Sequence, residues 1–446
     1  MNFYIKTYGC QMNERDSDSA AALLTAAGHR AVLSEEEADL IVLNTCSVRE
    51  QAERKAIGKL QIMKKLKQEN PRMIFGIMGC MAQSRGEELL KKIRHLDFAV
   101  GTDQIHTLPD VVASIQEKRH KELVDARGGA DAPGIDRHRL ETDDSHSFSA
   151  FISIMRGCSR FCSYCIVPFT RGPERSREAD SIVKEAEMLV SHGVKEIMLL
   201  GQNVAAYGLD GKAPPPPPDV SPFADLLERL NGIEGLRRIR FTSPHPAFFN
   251  KKLIDAVVRV EKVCKSMHLP LQSGSDRILA KMNRPYKAEE YLAIVRALRA
   301  GAPQMTFSTD VIVGFPTETA EDFEATRAVM KEVGFDNAYI FKYSPRKGTR
   351  SEKWTDDVPR EIKEERDQIL LHDMEEALTV RNAALSGMTF EVLAEGPSKR
   401  NPDRWQGRTD TFKNVVFIPP SELKPGDLIE IRIGRTTAMT LYGDML

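Results

Sequence analysis

Across residues 1–110, short apolar runs alternate with longer polar stretches in which hydrophobic side chains recur every third or fourth position. The runs at 3–5, 40–43 and 73–78 predict strands, and the stretches 17–27, 50–67 and 87–94 predict helices. This is the rhythm of βαβ units and predicts a doubly wound parallel sheet. The alternation resumes with candidate strands at 151–155, 196–200, 238–241, 265–269, 306–313 and 338–341, separated by helical patterns such as 181–192 and 289–300. Six such units fall short of a full (β/α)8 closure and predict a partial (β/α)6 barrel, with its chemistry on the loops after the strands. A charged helical pattern at 361–381 then leads into short β-prone runs at 389–393, 414–418 and 428–433, punctuated by Asn401-Pro402-Asp403 and Lys424-Pro425-Gly426-Asp427, which predicts a small β-barrel. The fold class is therefore α/β in three domains, at 1–117, 144–376 and 379–446. The polar stretch 117–147 reads as a linker, and the prolines 214–218 as a stiff surface loop.

Composition narrows the function classes. With 63 Lys+Arg against 64 Asp+Glu in 446 residues, the overall field attracts no polyanion, so any RNA contact must come from local patches. No apolar run approaches the ~18 to 20 residues of a membrane span, and the first residues carry no signal-peptide core, so a cytoplasmic location is expected. In a reducing compartment the 7 cysteines are not a disulfide framework, and their spacing becomes the informative feature.

Three of them follow the first three long strands directly, in Tyr8-Gly9-Cys10, Asn44-Thr45-Cys46 and Met78-Gly79-Cys80. Parallel strands align their carboxyl ends along one edge, where ligand sites of open α/β sheets form, so these thiols can converge. The glycines before two of them suit tight turns. Each thiol alone could be an inert core residue, but three in successive strand ends point to a shared task. A second set, Cys158-Ser159-Arg160-Phe161-Cys162-Ser163-Tyr164-Cys165, gives C-x3-C-x2-C in the loop after the first barrel strand. Soft thiolates at this spacing hold an iron–sulfur cluster, or zinc if a distant His such as His245 completes the set. Three ligands at a barrel mouth favour an iron left open for a substrate or cofactor. Cys264 stands alone before a β-prone run and reads as a packing residue, and His245 and His268 read as structural.

The C-x3-C-x2-C loop with Tyr164 before its last cysteine resembles the signature of radical S-adenosylmethionine enzymes. The words Thr7-Tyr8-Gly9-Cys10-Gln11-Met12-Asn13, Asn44-Thr45-Cys46-Ser47-Val48-Arg49 and Gly79-Cys80-Met81-Ala82-Gln83 resemble the N-terminal domain of methylthiotransferases. With a C-terminal barrel of the TRAM type, the chain resembles the radical S-adenosylmethionine methylthiotransferase family along essentially its whole length. Residues 158–177 resemble the members that modify prenylated adenosine more than those acting on threonylcarbamoyl-adenosine or a ribosomal protein. The resemblance implies two 4Fe-4S clusters, one on Cys158, Cys162 and Cys165 that binds and cleaves S-adenosylmethionine, and an auxiliary one on Cys10, Cys46 and Cys80. It implies insertion of a methylthio group at C2 of N6-prenylated adenosine 37 of tRNA, with two S-adenosylmethionine molecules consumed. A competing class, an iron–sulfur RNA-binding sensor without catalysis, has no use for a cofactor pocket.

The resemblance also assigns the cofactor surroundings: Tyr164 in the cluster loop, Gln202 and Asn203 toward the methionine moiety, Ser243, Gln272 and Arg284 toward its polar groups, Asp310 near ribose or the radical path, and residues 311–316 beside the adenine. For RNA, Arg171, Arg175 and Arg177 downstream of the cluster loop, and Lys399, Arg400, Arg404, Trp405 and Arg408 in the third domain, combine cations with an aromatic in a way suited to phosphates and unstacked bases. Expected partners are a tRNA anticodon loop, a flavodoxin- or ferredoxin-like electron donor and a sulfur or cluster carrier, with no membrane; the chain is expected to be a monomer.

Overall fold

A computed structural model of the chain describes residues 1–47, 50–118, 121–124 and 147–446. They form two compact units. The first comprises Met1–Ser145 together with Arg156–Arg160 and Cys165–Arg175; the second comprises His146–Met155, Phe161–Tyr164 and Ser176–Leu446. The predicted linker at 117–147 falls largely outside the described residues.

The first unit is built on a parallel sheet in the order β2-β1-β3-β4-β5-β6, from strands β1 (Asn2–Tyr8), β2 (Arg30–Ala31), β3 (Leu40–Thr45), β4 (Ile74–Gly79), β5 (Phe98–Val100) and β6 (Glu122–Val124). Helices α1 (Gln11–Ala26), α2 (Glu50–Ile62), α3 (Lys64–Glu69), α4 (Cys80–Lys92) and α5 (Leu108–Lys118) join them. Strands β3 and β4 are buried along their full length, as parallel strands covered on both faces must be. Leu40 and Val42 point into one apolar layer with Leu24, Phe98 and Val112, while Ile41 and Leu43 point into the other with Leu60, Phe75 and Leu89. Two helices begin earlier than their apolar pattern predicts. α1 starts at Gln11 because its first turns bury polar groups, among them Asn13, Arg15, Asp16, Ser17 and Ser19, and no hydrophobic period marks them. α4 starts at Cys80 itself.

The second unit opens with β7 (Ser149–Ser153); next in the chain come the two-residue strands β8 (Met155–Arg156) and β9 (Arg175–Ser176), on either side of α6 (Val167–Arg171), a helix of the first unit. α7 (Ala179–Ser191), β10 (Glu196–Leu200), α8 (Pro222–Asn231), β11 (Arg238–Phe241), α9 (Lys251–Arg259), β12 (Ser266–His268), α10 (Asp276–Lys281), α11 (Ala288–Gly301), β13 (Thr306–Val313), α12 (Ala320–Val333) and β14 (Asn337–Lys342) follow. β7, β10 and β11 form one parallel sheet, β12, β13 and β14 another, and a parallel bridge from Ile239 to Val263 links them in sequence order. The arrangement is an open six-stranded barrel whose strand ends share one mouth. On β13, Phe307, Thr309, Val311 and Val313 are buried, while Ser308, Asp310 and Ile312 on the opposite face are only partly covered. In the proline loop Pro216 is buried, and the carbonyls of Pro217 and Val220 accept hydrogen bonds from Asn250 Nδ2 at 2.6 and 2.9 Å.

Helix α13 (Arg360–Ala383) leads to a closed five-stranded barrel, ordered β15-β16-β17-β19-β18, of β15 (Thr389–Pro397), β16 (Trp405–Thr409), β17 (Asn414–Phe417), β18 (Leu428–Thr436) and β19 (Leu441–Met445). It docks at the starts of the large barrel's strands. Arg238 donates to the Arg408 carbonyl at 2.7 Å, Arg240 to the carbonyls of Asp410 and Thr409 at 2.9 and 2.8 Å, and Thr306 Oγ1 to the Thr411 carbonyl at 2.7 Å. The mouth at the strands' far ends is left to the cofactor loops.

Candidate active site

In the first unit the chain ends β1, β3 and β4 each in a cysteine, and asparagines tie the three turns together. Asn13 Oδ1 accepts from the Cys10 amide at 3.4 Å and from its thiol at 3.3 Å, while Asn13 Nδ2 donates to Asn44 Oδ1 at 2.9 Å. Asn44 Nδ2 returns a bond to the Asn13 carbonyl at 2.7 Å. Gly79 turns with φ of +88°, and a Cβ there would sit 2.4 Å from Asn44 Oδ1, so only glycine brings the Cys80 turn this close. The three thiols form one electrostatic group. Cys10 is drawn down to about 5, first by its hydrogen bond with Cys46 and then, against burial, by Arg171 and the backbone at Asn13 and Met12. Burial raises the Cys80 thiol, with Arg171 opposing it.

Arg171, expected on an RNA-facing surface, is instead 4% exposed inside this unit, with Nη2 2.9 Å from Asp16 Oδ2. Arg156 Nη2 holds the other oxygen of Asp16 at 2.9 Å. Arg175 is likewise committed, to both oxygens of Asp103 at 2.9 Å. In the second unit Arg177 binds Glu185 at 2.6 Å and the Ser153 carbonyl at 2.8 Å. All three guanidiniums are thus held by carboxylates, Arg171 in the buried interior, where an unpaired cation is too costly, and Arg175 and Arg177 at partly covered positions. Asp16 and Arg156, which the sequence reading passed over, complete the buried network.

The second unit pins residues 161–164 of the cluster loop against the barrel mouth. The Ser163 amide donates to the Met282 carbonyl at 3.0 Å, its hydroxyl to the Lys281 carbonyl at 2.9 Å, and Tyr164 meets Phe315 edge-on at 6.3 Å. Arg284 Nη1 lies 3.5 Å from Cys162 Sγ, and its Nε donates to Tyr286 Oη at 3.1 Å. Phe161, Ser243, Gln272 and Asn283, four of the described non-glycine residues with positive φ, lie in the cluster loop or in loops around the mouth. Such strained backbone collects at functional sites. Asn203 is buried, with Oδ1 accepting from the His245 amide at 3.0 Å and Nδ2 lacking a protein acceptor; Ser153 Oγ, at the end of β7, is a second buried hydroxyl without one. Asp310 faces His268 at 3.4 Å, and His268 Nδ1 lies 3.0 Å from Ser308 Oγ. Gln202 is partly buried beside Asn203 in the same loop.

In the small barrel Lys399 and Arg400 are exposed between β15 and β16, and Arg404 is half-buried. Trp405 packs against the barrel core, and Arg408 is held by Glu395 at 2.7 Å and lies over the Phe412 ring at 4.3 Å. Trp405 is partly buried, so one part of its ring packs on the core and the rest stays accessible.

The donor chemistry fits the groups the family implies. Among the described residues no three Cys, His, Asp or Glu side chains already stand at ligand spacing about one point, so the fit rests on charge and donors. Thiols in threes suit clusters with an open iron. A buried guanidinium beside the N-terminal thiols suits an anionic cluster, and unpaired buried donors at the barrel mouth suit a carboxylate-bearing cofactor.

Comparison with known proteins follows the same division. Residues 2–101 match the uncharacterized protein family UPF0004, 152–330 the radical SAM superfamily and 384–446 the TRAM domain. Fold and cysteine loop together define a radical SAM transferase. The chain is 45% identical to a tRNA-2-methylthio-N(6)-dimethylallyladenosine synthase of Opitutus terrae, over 99% of this chain and 97% of that protein. It is 44% identical to the protein of the same name from Akkermansia muciniphila, over 99% of this chain and 98% of that one. The chain belongs to the tRNA-2-methylthio-N(6)-dimethylallyladenosine synthase family. Among solved structures, the radical S-adenosylmethionine methyltransferase TsrM from Kitasatospora setae is similar in fold, with a TM-score of 0.56 and 13% identity over 76% of this chain and 72% of that one. No described helix is long and apolar enough to cross a membrane.

Proposed function

We infer that this chain installs a methylthio group at C2 of N6-dimethylallyladenosine in tRNA, at position 37 beside the anticodon, using two molecules of S-adenosylmethionine. The observation that carries this reading is the full-length match at 45% identity to a synthase of that name, in a chain that keeps both cysteine triads. A cluster on Cys158, Cys162 and Cys165 supplies, when bound, the electron that cleaves S-adenosylmethionine to methionine and a 5′-deoxyadenosyl radical, able to attack a C–H bond with no useful acidity.

The protein's own groups do the rest. Arg284 steadies the Cys162 sulfur, and Asn203 Nδ2 and Ser153 Oγ offer donors to the cofactor's carboxylate. Gln202, Ser243, Gln272 and Asp310 complete its polar surround, with Tyr164 and residues 311–316 on its flank. Cys10, Cys46 and Cys80 hold an auxiliary cluster that carries the sulfur to be inserted. Lys399, Arg400 and Arg404 grip tRNA phosphates, leaving the unstacked base free to enter the mouth. Electrons come from a flavodoxin- or ferredoxin-like donor and replacement sulfur from a carrier. The test is complementation: in a bacterial strain that prenylates adenosine 37 but lacks the methylthio group, expression of this chain restores the methylthiolated nucleoside, whereas its absence from digested tRNA contradicts the reading.

A further inference from the structure

Phe161, the residue before Cys162, is 55% exposed, while Tyr164 on the same loop meets Phe315. Backbone bonds fix this segment: Asn283 Nδ2 donates to the Phe161 carbonyl at 3.1 Å, and the Ser351 amide donates to the Ser163 carbonyl at 2.8 Å. The same contacts bring two cations to the loop. Lys281, whose carbonyl takes the Ser163 hydroxyl, and Arg350, next to Ser351, line one hollow of about 290 Å³ with Ala280 and Trp354. Both side chains are exposed, and among the described residues neither has an ion-pair partner. Lys347 and Lys353, also exposed, extend the charge along the loop after β14, whose acid, Glu352, is turned back to the Gly348 amide at 2.7 Å. Exposed cations side by side repel one another and add nothing to folding, but they attract an anionic partner. With a net charge of -1 over the whole chain, that attraction is local to this surface.

We propose that Phe161, Lys281 and Arg350 form the docking surface for the electron donor, a small acidic carrier protein that delivers one electron to the cluster on Cys158, Cys162 and Cys165. This rests on the reading of that cluster and of a flavodoxin- or ferredoxin-like donor. The position chooses the partner. Electron transfer requires the donor's cofactor to come close to the cluster, and Phe161 is an exposed side chain adjacent in the chain to a cluster ligand. RNA needs only to bring its base to the barrel mouth and gains nothing from lying against that ligand. One electron leaves the reduced flavin or iron of the carrier and takes the cluster core from doubly to singly positive; no bond is made and the cluster takes up no proton. An apolar centre flanked by cations suits such an encounter, which is small in area, brief, and steered by charge.

The test uses the reconstituted full chain, a purified bacterial flavodoxin and a purified bacterial ferredoxin as probes, and the double variant Lys281→Glu, Arg350→Glu. At low ionic strength the expected result is carrier binding weaker by about tenfold or more, read by isothermal titration, with the loss shrinking as salt is added. Formation of 5′-deoxyadenosine driven by the reduced carrier falls by a similar factor, while with dithionite it stays within about threefold of the parent, since a small reductant needs no docking surface. Equal carrier binding in parent and variant overturns the proposal. So does an equal loss of 5′-deoxyadenosine with carrier and with dithionite, which reports damage to the cluster. Binding of a tRNA anticodon stem-loop lost while carrier binding is kept gives the surface to RNA and also overturns it. If the double variant holds no iron, Lys281→Ala with Arg350→Ala decides: carrier binding weakened by about threefold or more supports the docking role, and unchanged binding overturns it. A parent chain that neither carrier binds nor reduces, with dithionite still effective, overturns the donor assignment itself, whereas a parent and variant reduced equally well by the carrier overturn only the site.

Discussion

Arg284 Nη1 stands 3.5 Å from the Sγ of Cys162 while its guanidinium carbon lies 5.3 Å from the centre of the Tyr286 ring, so one buried side chain joins the cluster loop to the barrel wall. Tyr286 is independently anchored to the carbonyls of Pro270 and Leu271 at 3.2 and 3.0 Å, and is expected to stay in place when Arg284 is removed. Arg284→Ala is expected to slow S-adenosylmethionine cleavage about tenfold to a hundredfold, the range of one lost hydrogen bond to a charged group. Arg284→Lys should not restore it, since an ammonium cannot both stack and point as the planar fork does. The rate of 5′-deoxyadenosine formation checks both.

The two triads are predicted to separate genetically. Cys162→Ala should abolish 5′-deoxyadenosine formation and methylthiolation together. Cys46→Ala should leave cleavage and lose sulfur insertion. Quantifying 5′-deoxyadenosine and methylthiolated nucleoside in the same reactions decides it; cleavage that survives Cys162→Ala would contradict the cluster assignment.

Asn203→Asp keeps the acceptor that holds the His245 amide but replaces the unpaired Nδ2 donor with a second acceptor. A donor lost opposite a carboxylate costs about 1 to 3 kcal/mol. The expected outcome is S-adenosylmethionine binding weaker by about tenfold or more, with the iron content unchanged, read by equilibrium dialysis. Unchanged affinity would remove Asn203 from the cofactor surround.

Cys264 is pushed up to about 11 by burial, with Arg240 opposing. An unfolded thiol loses its proton near ~8.5, so the folded chain keeps a proton there that the unfolded chain sheds. The stability gained from this is present in full below that pH and is lost as pH climbs through about 8.5 toward 11. Native Cys264 should therefore resist iodoacetamide at pH 8 and become reactive on unfolding, as peptide mapping of alkylated cysteines would show.

Much of the architecture is legible because parallel strands buried on both faces leave continuous apolar runs. β10, β11 and β13 coincide with the runs at 196–200, 238–241 and 306–313. β16 and β19 leave no such trace. Trp405-Gln406-Gly407-Arg408 and Leu441-Tyr442-Gly443-Asp444 carry few apolar side chains, and both strands are fixed by long-range pairing with β15, β17 and β18. The cysteines are legible from their place after successive strands. The arginines are not, since nothing local to a sequence separates a buried guanidinium such as Arg171 from an exposed one such as Arg400. Only the folded positions of Asp16 and the thiols make that distinction.

The central claim is tested most directly by nucleoside mass spectrometry on tRNA incubated anaerobically with the reconstituted chain, reductant and S-adenosylmethionine, with prenylated and unprenylated tRNA in parallel. A methylthio group on the dimethylallyladenosine of the prenylated tRNA alone is the predicted result. Formation of 5′-deoxyadenosine with neither tRNA modified would contradict the substrate assignment while leaving the radical chemistry in place.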